Sequence, residues 1–274
     1  MVETSASFTG SVPEYYDRCL GSAWFDAFAA ELAQRLPVKP PGSVLEIACG
    51  TGLATRRMRE RLDDSVRLVA TDVSRPMLDY ARGKLADVQG IEWREADAVK
   101  LPFDDGEFGA VVCAFGFMFV PDKNAAFREA GRVLNQGGIL LFDVWDSIDE
   151  NLHVKANAEV LEALFPGDAE MRFRAPYEMY DRALLRQLLA QAHFGDVKIE
   201  KKPIRLDRVS ARTIATGQIR GTPRSLLIEK RGVALDEVIE KVTGALTRIG
   251  GEDPYRGIAQ AIVVEARRIA APPA

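Results

Sequence analysis

The stretch VLEIACGTG, at residues 44–52, decides how this chain folds. It is a short, nearly continuous apolar run that ends in two glycines, and LATRRMRERL at 53–62 then carries apolar residues at helical spacing. A continuous apolar run is typical of a parallel strand buried on both faces. Glycines after such a strand let the backbone approach a ligand, and the following helix offers free N–H groups to an anion. The stretch therefore predicts a strand, a glycine turn and a helix, with a ligand at the turn.

The same alternation of strand and helix continues along the chain. Apolar runs recur at regular spacing, and the segments between them carry apolar residues on one helical face. This alternation predicts an α/β fold with a doubly wound, mostly parallel sheet, helices on both faces and right-handed crossovers. The first five predicted strands are residues 43–48, 66–72, 91–97, 109–115 and 137–145.

A helix precedes this predicted core, and a looser region follows it. An amphipathic helix over residues 14–36 leads into the core, and two later strands complete a seven-stranded sheet. The predicted helices that follow the core form, in this interpretation, a lid inserted before the last strand. The later elements are helices at 149–165 and 177–192, a strand at 197–206, one or two helices between 211 and 249, and a strand at 259–267.

A length of 274 residues favours one elaborated domain. We divide it into a helical entrance segment at 1–40, an α/β core at 41–148 and a remainder at 149–274. That remainder completes the sheet and contains the predicted lid, at about 149–176 and 210–250.

The composition indicates a soluble globular protein, since 47% of the residues are hydrophobic and 28% are charged. The longest apolar run is about half of the roughly 20 residues that a membrane-spanning helix needs. The first residues lack the basic start and apolar centre of a secretory signal. Three widely spaced cysteines suit reduced thiols, and two histidines without a CxxC pair offer no metal site. We therefore expect a cytoplasmic protein with no membrane span and no metal.

The charge pattern argues against nucleic acid as a partner, because a net charge of −4 gives no broad basic surface. Residues 198–231 depart from this average, with ten Lys or Arg against three Asp or Glu. We interpret this stretch as a solvated helical face. Binding of an anionic acceptor is the alternative.

Acidic residues close two neighbouring strands. Asp72 lies 20 residues beyond Gly52, at the tip of the second strand, where it can accept hydrogen bonds from both hydroxyls of a ribose. Asp97 closes the third strand, where its carboxylate can reach the exocyclic amine of adenine. An adenosine ligand is therefore predicted. A dinucleotide is disfavoured because Thr55 stands where the dinucleotide motif has its third small residue.

Five stretches resemble, in order, the consecutive motifs of class I S-adenosylmethionine-dependent methyltransferases. They are VLEIACGTG, ATDVS, EADAVKLPFDDGEF, CAFGFMFVPDKNAAFREAGRVL and GGILLFDVWDS, and they cover about residues 40–147. The most similar branch contains ubiquinone/menaquinone-type C-methyltransferases and related small-molecule methyltransferases. The resemblance implies a Rossmann-like methyltransferase fold. It also implies S-adenosylmethionine as cofactor and S-adenosylhomocysteine as product.

The resemblance also implies roles for the matching positions. Residues 46–52 would line the methionine part of the cofactor, Asp72 would hold the ribose, and residues 97–98 would contact the adenine between two flanking apolar side chains. Tyr16, in PEYYDR, matches a tyrosine that closes over the cofactor. The implied cofactor-binding set is Tyr16, Glu46, Ala48, Gly50, Gly52, Asp72, Val73, Met77, Asp97, Ala98, Ala114 and Phe115.

The sequence departs from the family pattern at three places. Ala114 replaces a common glutamine, Gly109 replaces an aspartate, and NQGG lacks the usual proline before its two glycines. The change at 114 removes a side-chain amide, whereas a backbone contact from Ala114 or Phe115 would survive.

We predict direct in-line transfer of the methyl group to a small-molecule acceptor, at an oxygen, nitrogen or carbon atom. Positioning alone can lower such a barrier by roughly 7–11 kcal/mol, so no invariant catalytic side chain is required. His153 is the one candidate base, and an exposed place on a helix is its alternative. The predicted apolar acceptor pocket, for which core packing is the alternative, consists of Met118, Phe119, Trp145 and Tyr177.

Two other functions remain open at this stage. The same fold would methylate a macromolecule if residues 198–231 formed a docking surface. A non-catalytic scaffold that keeps the adenosine site is the second alternative, and its support is the loss of the amide at Ala114.

Overall fold

The computed structural model describes residues 8–172 and 174–270. These residues form one seven-stranded sheet in the order β3-β2-β1-β4-β5-β7-β6. The strands are β1 (Ser43–Ile47), β2 (Leu68–Asp72), β3 (Ile91–Glu95), β4 (Phe108–Ala114), β5 (Leu134–Trp145), β6 (Phe194–Leu206) and β7 (Gly257–Arg268). Strands β1 to β5 are parallel, and β7 is antiparallel to both β5 and β6. The predicted α/β class and the mostly parallel seven-stranded sheet are confirmed.

Strand β1 lies between β2 and β4, so the chain reverses its direction of travel across the sheet at the β1–β4 pair. In open α/β sheets a crevice forms outside the carboxyl ends of the strands at such a point. The sequence places VLEIACGTG on one side of this crevice and CAFGFMF on the other.

The central strands are buried on both faces. Val44 and Leu45 of β1 and Val111 and Val112 of β4 have no exposed surface. The edge strand β6 instead alternates between buried or half-buried and exposed positions along its length. The continuous apolar runs in the sequence therefore reflect two layers of covering helices, and the alternating run reflects an edge strand covered on one face.

The entrance segment contains a continuous helical run from Val12 to Arg35, and its middle turns are π-helical. The π segment, Tyr16–Phe25, joins two α-helices and lies against the helix that starts at Ala211. The described α-helices are α1 (Val12–Tyr15), α2 (Asp26–Arg35), α3 (Leu53–Arg61), α4 (Arg75–Lys84), α5 (Lys123–Val133), α6 (Leu152–Leu164), α7 (Arg182–Gln191), α8 (Ala211–Arg220), α9 (Arg224–Lys230) and α10 (Leu235–Gly250).

Two element predictions need correction. The segment between 211 and 249 contains the three helices α8, α9 and α10 rather than one or two, because the chain turns at Gly221 and again at Gly232. The helix predicted over 177–192 begins only at Arg182, where Asp181 caps it by accepting a hydrogen bond from Ala183 N. No α-helix within residues 8–172 or 174–270 combines the length and apolar character that a membrane span requires.

Candidate functional site

A cavity of about 370 Å³ lies at the carboxyl ends of β1, β2 and β4. The π segment covers it on one side, and side chains from α6, α8 and the start of α9 cover it on another. The cavity therefore occupies the predicted crevice and is bordered by helices from both predicted lid regions.

The glycine turn after β1 forms one wall of this cavity. Ala48, Gly50 and Gly52 all have left-handed backbone conformations, with φ values of 56°, 54° and 77°. Asp72 fixes the turn, because its Oδ2 accepts a hydrogen bond from Gly50 N at 2.8 Å and its Oδ1 accepts one from Ser74 N at 2.7 Å. Burial raises the pKa of Asp72 above its ordinary value. A carboxylate has about four lone-pair sites, so Asp72, which lines the cavity, can accept a further hydrogen bond.

Two predicted contacts lie beneath the turn and not in the cavity wall. Glu46 is fully buried, and its Oε2 accepts a hydrogen bond from Thr55 Oγ1 at 2.5 Å. Burial raises the pKa of Glu46 to about 8. A Cβ on Gly52 would lie 3.0 Å from Leu85 Cδ1 and 3.1 Å from Ala81 Cβ. Glu46 and Gly52 therefore support the turn from behind. The hydrogen bond from Thr55 offsets part of the free-energy cost of burying the Glu46 side chain.

The ends of β2 and β3 form the neighbouring wall. Val73 is half exposed, Met77 is buried, and both line the cavity together with Asp97 and Ala98. Asp97 caps its own turn, because its Oδ1 accepts a hydrogen bond from Val99 N at 3.0 Å. The predicted adenine-side residues thus share one wall of the cavity.

The last residue of β4, Ala114, and the first residue after it, Phe115, form another part of the cavity wall. Phe115 has a φ of 53°, and its N–H donates a hydrogen bond to Oδ1 of the buried Asp143 at 2.8 Å. A Cβ on Gly116 would lie 2.5 Å from Ala48 Cβ, so the loops after β1 and β4 are in close contact. Asp143 was missed at the sequence level. The available signal was a carboxylate inside the apolar run GGILLFDVW.

Aromatic rings also line the cavity. Tyr16 stacks on Phe25 with ring centroids 5.0 Å apart, and Trp145 stacks on Tyr177 at 5.7 Å. Burial, and then the nearby Asp143, raises the pKa of the Tyr16 hydroxyl. The four residues predicted as an acceptor pocket, Met118, Phe119, Trp145 and Tyr177, all lie in the cavity wall. The cavity wall also contains Leu20, Trp24 and Phe25, which were not predicted because a π-helical run changes which side chains share a face.

His153 is neither exposed nor in the cavity wall. It is fully buried, and its ring lies 4.8 Å from Trp24 and 6.4 Å from Trp145, both of which do line the cavity. Burial lowers the pKa of His153 to about 3. The expectation of an exposed helix position is therefore wrong. A neutral, weakly basic imidazole behind two tryptophans is also poorly placed to take a proton from an acceptor.

The cavity also has a polar end that the sequence did not predict. Asn157 of α6, Gln218 of α8 and Arg224 of α9 are each at least nine-tenths buried, and all three line the cavity. Among the described residues, no group of three His, Cys, Asp or Glu could hold a metal ion, and all three cysteines are free.

The strand order, the glycine turn braced by an acid at the tip of β2, and the cavity beside them define the class I methyltransferase type of Rossmann-like fold. A family model described as "Methyltransferase domain" matches residues 45–142. Residues 45–142 are thus similar to a methyltransferase domain.

Curated relatives agree with this assignment. A demethylmenaquinone methyltransferase of Staphylococcus saprophyticus is 26% identical over 198 residues, which is 67% of this chain and 84% of that protein. One from Thermus thermophilus is 44% identical over 105 residues, but the match spans only 38% of this chain and 47% of the relative. The stronger identity thus covers a smaller share of both proteins.

The solved structures support the fold. Phosphoethanolamine N-methyltransferase 2 of Haemonchus contortus, in complex with S-adenosyl-L-methionine, matches 98% of this chain and 61% of that chain with a TM-score of 0.61 and 16% identity.

Proposed function

We propose that this chain transfers the methyl group of S-adenosylmethionine to a small, planar acceptor bound in the same cavity. One observation carries the proposal: a single cavity joins the glycine turn and the acidic strand tips to an aromatic-lined chamber under the helical cover. A cofactor at the first end and an acceptor at the second would meet without any rearrangement of the sheet.

The residues at the first end fit the cofactor. A Cβ on Gly50 would have no neighbour closer than Met77 Cε at 4.0 Å, so the backbone there is open to a ligand. Asp72 has spare lone pairs for the ribose hydroxyls, and Asp97 and Ala98 would contact the adenine beside Val73 and Met77. We assign the methionine part to Ala48, Gly50, Ala114 and Phe115, with Tyr16 above it. We assign Glu46 and Gly52 supporting roles behind the turn.

The bound cofactor would supply an activated methyl group on a sulfonium centre. The work of the chain is to hold the two reactants in line and to exclude water. We assign Phe115 to the cofactor end and Trp145 to the acceptor end, and their ring centroids are 4.5 Å apart. Holding reactants at attack distance can lower the barrier by about 7–11 kcal/mol, which suits a site without an evident base.

A small acceptor is favoured over a macromolecule because the basic stretch 198–231 is not a free positive surface. Seven of its ten basic residues form ion pairs with acidic side chains of the same chain, and Arg224 is buried in the cavity wall. The relatives are named as quinone-pathway methyltransferases, which supports a planar acceptor. We place the enzyme in the cytoplasm, in keeping with its three free cysteines.

Two measurements test the proposal. Calorimetry should detect binding of S-adenosylmethionine to the wild-type chain, and Asp72→Ala should weaken it about 10- to 100-fold because hydrogen bonds to a charged group are lost. Asp79→Ala, on the exposed side of α4, is the matched control and should bind normally. Tritium from the labelled methyl group should then enter small molecules of a cell extract. Binding without transfer would favour the non-catalytic scaffold, and label found only in macromolecules would refute the small acceptor.

A further inference from the structure

Three buried polar side chains line the end of the cavity under the helical cover. The exposed fractions are 1% for Asn157, 5% for Gln218 and 3% for Arg224. They come from α6, α8 and the start of α9, three helices outside the segment that the methyltransferase family model matches. They therefore lie outside the segment that the chain shares with that family model.

Hydrogen bonds and chain neighbourhood connect the helices that carry these three side chains, and we refer to the three as the polar cluster. Gln218 Nε2 donates a hydrogen bond to the carbonyl of His153 at 3.1 Å, which ties α8 to the first turn of α6. Asn157 lies four residues after His153, hence one turn further along the same face of α6. Thr222 Oγ1 donates to the carbonyl of Gln218 at 2.8 Å, and Arg224 begins the next helix two residues later.

Several atoms of this cluster have no partner within the described protein. Neither the Oδ1 nor the Nδ2 atom of Asn157 makes a hydrogen bond, and the same holds for Gln218 Oε1. A buried polar atom without a partner is costly, and native proteins rarely keep one unless something else satisfies it. Because these side chains line a cavity, a bound molecule can supply the missing partners.

The cluster also carries a positive charge. Arg224 is the one basic residue of the stretch 198–231 that lines the cavity, and its guanidinium has five N–H donors and no acceptor. A guanidinium and an amide N–H together match the oxygens of a carboxylate. The unsatisfied oxygen atoms of Asn157 and Gln218 accept, so they suit a hydroxyl next to that carboxylate.

We propose that the acceptor is a planar, aromatic carboxylate whose carboxylate binds Asn157 and Arg224 and whose ring lies against Trp145 and Tyr177. This proposal rests on the proposed methyl transfer and specifies the acceptor. The carboxylate of the acceptor would then lie beneath helices α6, α8 and α9. The ring atom that faces the cofactor would lie at the opposite end of the acceptor. The stretch 198–231 would then contribute to substrate specificity through the buried charge of Arg224, and it would not form a docking surface for a macromolecule.

Calorimetry with naphthalene probes tests this, because the ring is constant and only one group changes. The protein is saturated with S-adenosylhomocysteine, and 2-naphthoate, 2-naphthamide and 2-naphthol are titrated in turn, followed by benzoate and benzamide. We expect each carboxylate to bind at least about 10-fold more tightly than its amide, as expected for a charge-assisted pair. Arg224→Met should abolish that preference, and Arg208→Met, an exposed arginine of the same stretch, should preserve it.

Asn157→Asp is the second variant, and it guards against misfolding of the Arg224 variant. It changes the shape of the side chain little, but it adds a negative charge that competes with the carboxylate of the probe. We expect it to lower the affinity for 2-naphthoate at least about 10-fold and to leave that for 2-naphthol within about 3-fold. Unchanged binding of S-adenosylhomocysteine shows that each variant is folded.

Equal affinity of carboxylates and amides would overturn the proposal. So would an equal loss of all probes in Arg224→Met, or the absence of carboxylate binding up to about 1 mM. Failure of the proposed function is distinguishable, because it would appear first as a failure to bind S-adenosylhomocysteine.

Discussion

Asp143 Oδ1 accepts a hydrogen bond from Phe115 N at 2.8 Å, and this bond holds Phe115 in a left-handed conformation with a φ of 53°. Few non-glycine residues adopt that conformation, and those that do are held by their surroundings. Asp143 is fully buried, and burial raises its pKa well above the ordinary value. A buried carboxyl group at the end of β5 therefore shapes the loop after β4, which lines the cavity.

Asp143→Asn should be tolerated and Asp143→Ala should not. A raised pKa favours the neutral carboxyl group, which asparagine resembles in shape and in its acceptor oxygen. Alanine removes the side-chain acceptor and leaves Phe115 N only the longer bond to the backbone carbonyl of residue 143, at 3.3 Å, which should lower the free energy of unfolding by about 1–3 kcal/mol. It should also weaken S-adenosylmethionine binding. Urea unfolding and calorimetry on both variants check this, and equal losses for the two would contradict it.

Glu46 should make the protein less stable as the pH rises. Its pKa is about 8 in the folded state and 4.5 ordinarily, so between these values the native state retains a proton that the unfolded chain releases. The free energy of unfolding then falls with increasing pH, by up to about 1.4 kcal/mol per pH unit. Glu46→Gln cannot ionise and should gain stability over the wild type across that range.

Urea unfolding at about pH 5.5 and about pH 7.5 measures this difference. Glu60→Gln, at an exposed position on α3, is the control and should parallel the wild type at both pH values. A Glu46→Gln variant whose stability relative to the wild type does not change with pH would show that Glu46 ionises normally in the folded protein.

Much of the fold could be predicted from the sequence because its signals are local. The apolar run at 44–48 marks a buried strand, and the acid of Asp72 falls at the tip of the next one. The division of residues 211–249 into three helices was harder to predict, because it depends on turns at Gly221 and Gly232 inside an otherwise helical pattern.

The polar end of the cavity could not be predicted. Helix α6 is buried on more than one side, and Asn157 looks in the sequence like any polar residue between apolar ones. Whether it faces the solvent, the core or the cavity depends on how α6 packs against α10 and β7. For the same reason, His153 could be considered as a base until its burial behind Trp24 and Trp145 was seen.

Replacing His153 should change the free energy of unfolding at acidic pH and should leave the rate of methyl transfer nearly unchanged. Its pKa is about 3 when folded and 6.5 ordinarily, so below 6.5 the unfolded chain binds a proton that the native state does not. The wild type should therefore lose up to about 1.4 kcal/mol per pH unit between 6.5 and 3. His153→Leu should escape this loss and keep its methyl-transfer rate within about 3-fold.

His193→Asn replaces the only other histidine and serves as the control. Urea unfolding at about pH 5 and about pH 7.5, together with turnover across the same range, separates the two roles. A large drop in turnover for folded His153→Leu, with loss of an acid limb in the pH profile, would restore His153 as a base.

Gly116→Ala should damage both the fold and the site. Gly116 has an ordinary φ of −90°, so the backbone tolerates alanine there and only contacts matter. The added Cβ would lie 2.5 Å from Ala48 Cβ and 2.7 Å from Cys113 Sγ. Such overpacking costs about 1–3 kcal/mol. Relief requires the loops after β1 and β4 to separate, so the affinity for S-adenosylmethionine should fall as well.

Gly83→Ala is the matched control. Gly83 lies in α4, and a Cβ there would meet nothing within 4 Å. Alanine should therefore stabilise the protein by about 0.5–1 kcal/mol through its higher helix propensity and should leave cofactor binding unchanged. If the two loops are in contact, thermal unfolding should shift in opposite directions for the two variants, and calorimetry should show weaker cofactor binding only for Gly116→Ala. Normal stability and affinity in Gly116→Ala would mean that the loops have room to move apart and that their contact does not shape the cofactor site.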